Sequence, residues 1–215
     1  MQYFKDSDGL QVLMKMVEDI QQNKGFLGDV DGLIGDGDHG MNMNKGFSEF
    51  GKRFGGQSIS FAEGLNELGT ILLTEIGGSM GPIYGTIFMA MGDSLDGKER
   101  ITLADLSSAL DSAREELFGI VDARVGDKTL VDCLSPACDT LKADLDSGSS
   151  FSKALEDMKA AAEKGRDSTK ELQAKYGRSA RLGARSIGVL DAGSCSCCII
   201  LQSMADGISG ILEEG

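Results

Sequence analysis

Apolar residues return every three or four positions along most of the chain, as in Leu10, Leu13, Met14, Val17 and Ile20. That spacing lays one helical face against a core. A second series, Phe61, Leu65, Leu68 and Leu72, follows Ser60 and Glu63, and a third, Leu103, Leu106, Leu110 and Leu117, follows Thr102 and Asp105. Ser60 and Glu63 form a capping-box arrangement, in which the first side chain and the one three residues later satisfy backbone donors at a helix start. The same periodicity predicts helices near 41–54, 82–94, 129–145, 151–175 and 195–213, and Leu27 to Ile34 also reads as helical. No stretch alternates with period two, and no internal repeat is visible.

About eight helices result, and the glycine-containing connections between them are short. Brief loops cannot carry a chain back to a parallel position, so neighbouring helices should pack antiparallel. The expectation is an all-α bundle with residues 1–215 as a single domain, the size favoured by 215 residues.

Composition changes this picture little: 41% hydrophobic and 26% charged residues describe an ordinary globular chain able to bury a sizeable core. The charge changes it more. A formal net charge of -13, with no stripe of Lys or Arg, repels nucleic-acid phosphate and excludes it as a partner class. A small phosphate ligand would meet the same repulsion, so it would need a metal to neutralise the encounter. The start, MQYFKDSDGLQVL, has neither the basic region nor the apolar stretch of a signal peptide, and no apolar run approaches membrane-spanning length. A cytoplasmic location without membrane association is expected. Cys195, Cys197 and Cys198 crowd together, but no complete second ligand pair exists and His39 is the only histidine. These read as buried helix cysteines rather than zinc ligands.

Glycine clusters at 35–40, 77–85, 126 and 177–193. The first cluster, Gly35-Asp36-Gly37-Asp38-His39-Gly40, matches a G-x-G-x-x-G string, but a helical segment precedes it and two aspartates fill the space that pyrophosphate would need. An EF-hand fails because Phe47 stands at the twelfth position. What remains is Asp36 and Asp38, with Asp31 and Asp29 shortly before. Ionised carboxylates about 4 Å apart repel by roughly 4 kcal/mol at an effective dielectric of 20, which a divalent cation would relieve. An all-oxygen set suits a hard ion such as Mg, although aspartates also serve solvated turns and helix caps.

The second cluster, Gly77-Gly78-Ser79-Met80-Gly81-Pro82, leads into a helix in which Pro82 suits the first position. It reads equally as a phosphate-receiving helix start or a plain turn. In the last cluster Arg178, Arg181 and Arg185 reverse the sign of an acidic protein. At i, i+3 and i+7 they could line one face toward an anion or neutralise neighbouring helices, and the length of the irregular segment favours the former.

Together these residues resemble the L-subunit family of the phosphotransferase-system-dependent dihydroxyacetone kinases. The resemblance rests on Asp31 with IGDGDHG, Asn42-Met43-Asn44-Lys45-Gly46-Phe47, GGSMGPIYGT at 77–86, Gly126-Asp127-Lys128-Thr129, and Gly177-Arg178, Leu182-Gly183, Arg185-Ser186-Ile187-Gly188 and Asp191. It implies a barrel of eight antiparallel helices with a nucleotide among the loops at one end. Asp31, Asp36 and Asp38 would hold two Mg ions bridging the phosphates of ADP or ATP. His39, Gly40, Met41, Asn42, Ser79 and Met80 would line the nucleotide site. Thr129, Leu130, Arg178, Asp191, Ala192 and Gly193 would close over it, with Arg178 acting on the transferring charge. By resemblance His39 is a nucleotide contact, not a phosphocarrier.

The resemblance further implies two partners. A phosphohistidine-bearing M subunit would charge bound ADP, and a K subunit would hold the dihydroxyacetone that receives the phosphoryl group. Alternatives are an ATP-exchanging kinase subunit for a related ketose such as erythrulose, and a regulatory ADP-binding module with a transcription-factor partner. Ala192 departs from the proline often found there in the family, freeing the backbone before Gly193.

Overall fold

The computed structural model describes residues 2–215. Eight α-helices run in order: α1 Leu10–Ile34, α2 His39–Phe54, α3 Phe61–Glu75, α4 Met80–Leu95, α5 Leu103–Ile120, α6 Val131–Ser147, α7 Phe151–Ser168 and α8 Ala192–Ser209. Each packs on the next, and α8 packs back on α1, so the helices close a ring. One hydrophobic cluster draws side chains from all eight, including Ile20, Phe47, Leu68, Phe88, Leu110, Leu134, Leu155 and Leu201. The glycines let the ring tighten: a Cβ on Gly69 would fall 2.9 Å from the carbonyl oxygen of Gly85 on α4. No helix among the described residues is long and apolar enough to cross a membrane.

Three short strands escaped the sequence pattern: β1 Gln2–Lys5, β2 Arg100–Thr102 and β3 Glu213–Glu214 form an antiparallel sheet in the order β2-β1-β3. Strands of two to four residues are too short for alternation to register. Phe4 anchors the sheet by turning a fully buried ring edge-on to Phe61 at 5.4 Å and toward Phe151 at 6.4 Å. Burying such a ring is worth about 1.5–3 kcal/mol. The sheet covers the end where α1, α3, α5 and α7 begin, which leaves the 35–38, 76–79, 121–130 and 169–191 connections at the other end.

Several boundaries differ from expectation. The helix expected over 151–175 stops at Ser168, where Ser168 Oγ and Thr169 Oγ1 donate to the carbonyls of Gly165 and Arg166 at 2.7 and 2.6 Å and a 3-10 turn, Thr169–Glu171, follows. The helix expected over 195–213 runs from 192 to 209 because Asp191 caps it, accepting from Ser194 N at 2.7 Å. Pro82 is the third residue of α4, not the first, a place where its missing N–H still costs no helical bond. The reciprocal capping box forms at Thr102 and Asp105, whereas at Ser60 the bond formed is Glu63 N to Ser60 Oγ, 3.2 Å. Arg178, Arg181 and Arg185 do not share a helical face, since the 3-10 segment Ser179–Ser186 breaks at Gly183 with φ 56°.

Candidate metal and nucleotide site

Asp31 occupies the last turn of α1, while Asp36 and Asp38 stand in the connection to α2. The turn folds back because Gly35 N bonds to Asp31 O at 2.5 Å and Gly37 takes a positive φ of 78°. Gly35 has a separate reason to be glycine: a Cβ there would lie 2.2 Å from Asp31 Oδ1. As a result one carboxylate oxygen from each of Asp31, Asp36 and Asp38 falls within 4.8 Å of the others, with Asp36 and Asp38 exposed. Asp29 is exposed and stands outside this group, as expected two residues from Asp31 on a helix. Three hard oxygen donors, open on one side, fit a divalent ion that keeps water or phosphate in its remaining positions.

Next to the carboxylates α2 begins with His39, whose ring is buried. Its Nε2 lies 2.8 Å from Ser196 Oγ on α8. Tyr84 OH from α4 is 2.6 Å from the same hydroxyl and donates to Gly193 O at 3.1 Å. Burial pushes the imidazole down to about 4, with the Asp31 charge pulling the other way, so His39 is neutral near pH 7. A buried neutral ring engaged with a serine is poorly placed to carry a phosphoryl group. Gly40 is also buried, and a Cβ on it would lie 1.9 Å from Lys24 O, so its first consequence is the close crossing of α1 and α2. Met41 is 62% exposed at the rim and Asn42 is half-buried.

Ser79 and Met80 open α4, with no side-chain cap on its first turn, and the loop before them is exposed. Their link to the rest of the site runs through Tyr84, one turn further along. Gly193 sits beside Leu130: a Cβ on it would be 3.6 Å from Leu130 N and 3.1 Å from Asp191 Oδ2. Thr129 and Leu130 therefore face the start of α8, where Ala192 is buried. Burial raises the Asp191 carboxyl to about 7, against the bond from Ser194 N and the nearby Lys128 charge. Arg178 forms an ion pair with Asp36, whereas Arg181 and Arg185 are exposed and make no ion pair among the described residues.

Sequence reasoning gave no role to Ser196, Tyr84, Lys128, Asp132 or Thr169. Asp132 accepts from Gly126 N at 2.6 Å and Thr129 N at 2.8 Å, shaping the turn into α6. Lys128, buried, donates from Nζ to the carbonyls of Thr169 and Val189. Its φ of 62° is the sole positive value among the described non-glycine residues, a strain of about 1–2 kcal/mol. A lysine between Asp127 and Asp132 was the available signal for that network. Ser196 offered none, because a serine between two cysteines on an apolar helix carries no local mark of a distant partner. Those cysteines are free and buried, and burial pushes the Cys195 thiol up to about 12. A surface cavity of 680 Å³ lined by Lys15, Glu18, Gln21 and Lys52 lies between α1 and α2, away from these loops. It gathers no set of converging ligand groups.

The DAK2 domain family matches residues 33–206. The chain is 34% identical over 207 residues to the PEP-dependent dihydroxyacetone kinase 1, ADP-binding subunit DhaL, of Listeria innocua, covering 95% of this chain and 97% of that one. It is 33% identical over 183 residues to the corresponding ADP-binding subunit of Escherichia coli, covering 84% and 86%. In fold it resembles the crystal structure of the dihydroxyacetone kinase from C. freundii in complex with AMP-PNP and Mg2+, with a TM-score of 0.69 at 22% identity. That likeness covers 92% of this chain and 33% of the solved one.

Proposed function

The chain belongs to the DAK2 domain family, among the ADP-binding L subunits of dihydroxyacetone kinases, and on that premise we propose that it is the nucleotide-holding subunit of a phosphoenolpyruvate-dependent ketose kinase. The observation that carries this reading is the convergence of Asp31, Asp36 and Asp38 within 4.8 Å at the loop end of the ring, in a chain of net charge -13. Clustered carboxylates favour a divalent cation, and the cation in turn makes a phosphate ligand acceptable to an acidic surface.

In this reading Asp31, Asp36 and Asp38 would hold two Mg ions, and ADP or ATP bound with them would supply the phosphoryl carrier. The backbone N–H groups that open α4 at Ser79 and Met80, and α8 at Ala192 and Gly193, receive anionic oxygens. His39, neutral and fixed by Ser196, adds no charge to the site. Thr129 and Leu130 form the facing wall. Arg178 leaves Asp36 for the transferring phosphoryl charge, which a planar guanidinium suits. Phosphoryl transfer depends mainly on positioning and charge stabilisation, so no covalent residue is needed on this chain.

The sugar would be held by a K subunit, and the phosphoryl donor would be a phosphohistidine on an M subunit. The loop end supports docking: Leu33, Met41, Leu73, Val125, Tyr176 and Ile187 are all large, apolar and exposed there. Apolar exposure gathered at one end of an acidic surface is the pattern of a protein contact. One core shared by all eight helices supports reading residues 1–215 as a single domain.

The test begins with calorimetry of the purified chain against ADP, with and without Mg. Binding that requires Mg is expected, and Mg-independent binding or none overturns the site. Coupled assays with K and M partners and a panel of ketoses follow. Activity only with both partners supports the subunit reading, robust sugar phosphorylation by the chain alone overturns it, and exchange of labelled ADP during turnover selects an ATP-exchanging kinase.

A further inference from the structure

The connection between α7 and α8 spans more than twenty residues, carries Arg178, and is tied down at its base by side-chain bonds. Lys128 contacts it twice, donating to the carbonyl of Thr169, its first residue, and to that of Val189, near its last. Thr169 Oγ1 accepts from Asp191 N at 3.1 Å, and Gly188 N donates to Lys170 O at 2.7 Å, so the two ends of the segment are drawn together. Asp127 adds a second tether: its carbonyl accepts from Lys175 N at 3.2 Å and its carboxylate from Lys175 Nζ at 2.5 Å. Ser186 Oγ accepts from Ala174 N at 2.9 Å and closes the base from within. Beyond this base the tip carries exposed Arg181 and Arg185 and touches the carboxylate loop through Arg178.

Lys128 holds this place in a left-handed conformation that glycine would adopt without strain. Strain kept at a loop residue, with a long side chain threaded to full burial, points to what the side chain holds in place. Its ammonium satisfies two carbonyls that would otherwise lose a partner, and the charge lies near Asp191 and Asp132. Both acids organise walls of the nucleotide site: Asp132 shapes the turn carrying Thr129, and Asp191 caps the helix that begins with Ala192 and Gly193.

We propose that Lys128 is a positioning residue that clamps the base of the α7–α8 segment to the Gly126–Leu130 turn, making the two a single wall of the nucleotide site and presenting Arg178. The proposal rests on the nucleotide reading given above for its effect on binding, but not for the clamp itself. Lys128 touches no reacting atom. Its loss should release the segment before any ligand is added.

The experiment compares the full chain with Lys128→Met, Lys128→Gln and Lys128→Arg. Calorimetry measures Mg-ADP affinity, limited trypsin digestion measures cleavage after Arg178, Arg181 or Arg185 without nucleotide, and circular dichroism measures helix content. Lys128→Met is expected to keep the helices, to be cleaved faster in the segment, and to bind Mg-ADP roughly 10- to 100-fold more weakly, the effect of losing charged hydrogen bonds. Lys128→Arg, which keeps a charge and several donors, should recover most of both losses, a rescue that a mere packing role would not give. If Lys128→Met does not fold, Lys128→Gln, with a neutral donor, gives the same two readouts at smaller amplitude. Unchanged cleavage and unchanged affinity in the folded variant overturn the clamp. If the wild type binds no Mg-ADP, the nucleotide reading fails, and the cleavage rates alone decide the clamp.

Discussion

His39 Nε2 on α2 and Ser196 Oγ on α8 meet at 2.8 Å although 157 residues separate them. Tyr84 OH of α4 lies 2.6 Å from the same serine oxygen, so one hydroxyl joins three helices beneath the loop end. Because all three groups are buried, removing the shared hydroxyl leaves His39 Nε2 without its partner, while Tyr84 OH keeps only its bond to Gly193 O.

Ser196→Ala is therefore expected to destabilise the fold by about 1–3 kcal/mol. Urea unfolding followed by circular dichroism measures it. A midpoint equal to that of the wild type would mean that the hydroxyl is replaceable by water and that the three helices are not joined through it.

Asp36→Asn and Asp38→Asn should abolish Mg-dependent ADP binding while leaving metal-free stability equal to, or slightly above, that of the wild type. Each removes one like charge from the cluster, and the Arg178–Asp36 pair lost in the first is largely exposed, worth about 0–1 kcal/mol. Calorimetry showing wild-type Mg-ADP affinity in either variant would remove the metal reading of the loop.

Asp191 gives a pH signature. Its folded carboxyl is raised to about 7 from 3.8, so between those values the folded state binds more protons than the unfolded one. The stabilisation is complete below pH about 4 and is lost as pH rises through about 7, a contribution of at most a few kcal/mol. Asp191→Asn, which can still cap α8, should flatten this fall in unfolding free energy between pH 5 and pH 7.5. An unchanged slope in the variant would assign the dependence to other groups.

Gly40→Ala separates packing from ligand contact. An added Cβ would lie 1.9 Å from Lys24 O and 2.8 Å from Gly28 N, so α1 and α2 must move apart, at a cost of about 1–3 kcal/mol even without nucleotide. Thermal unfolding of the ligand-free variant checks this. Unaltered stability with weakened ADP binding would show that Gly40 matters only to the ligand.

The helices were legible from the chain because burial of one face repeats with a period that each segment carries by itself, as Phe61 to Leu72 does on α3. The carboxylate loop was legible too, since Asp31, Asp36 and Asp38 are near in sequence and their mutual repulsion is a local fact. The sheet was not, because pairing of Tyr3 with Thr102 and Glu213 is decided between segments too short to show alternation. Nor was the network of Ser196, Tyr84 and His39, or the reach of Lys128 to Thr169 and Val189. In these the partners are distant along the chain, and a serine or lysine carries no periodic mark of which carbonyl or ring it will meet. Local pattern determined the helices and the carboxylate loop, while closure of the ring decided which polar groups had to satisfy one another once water was excluded.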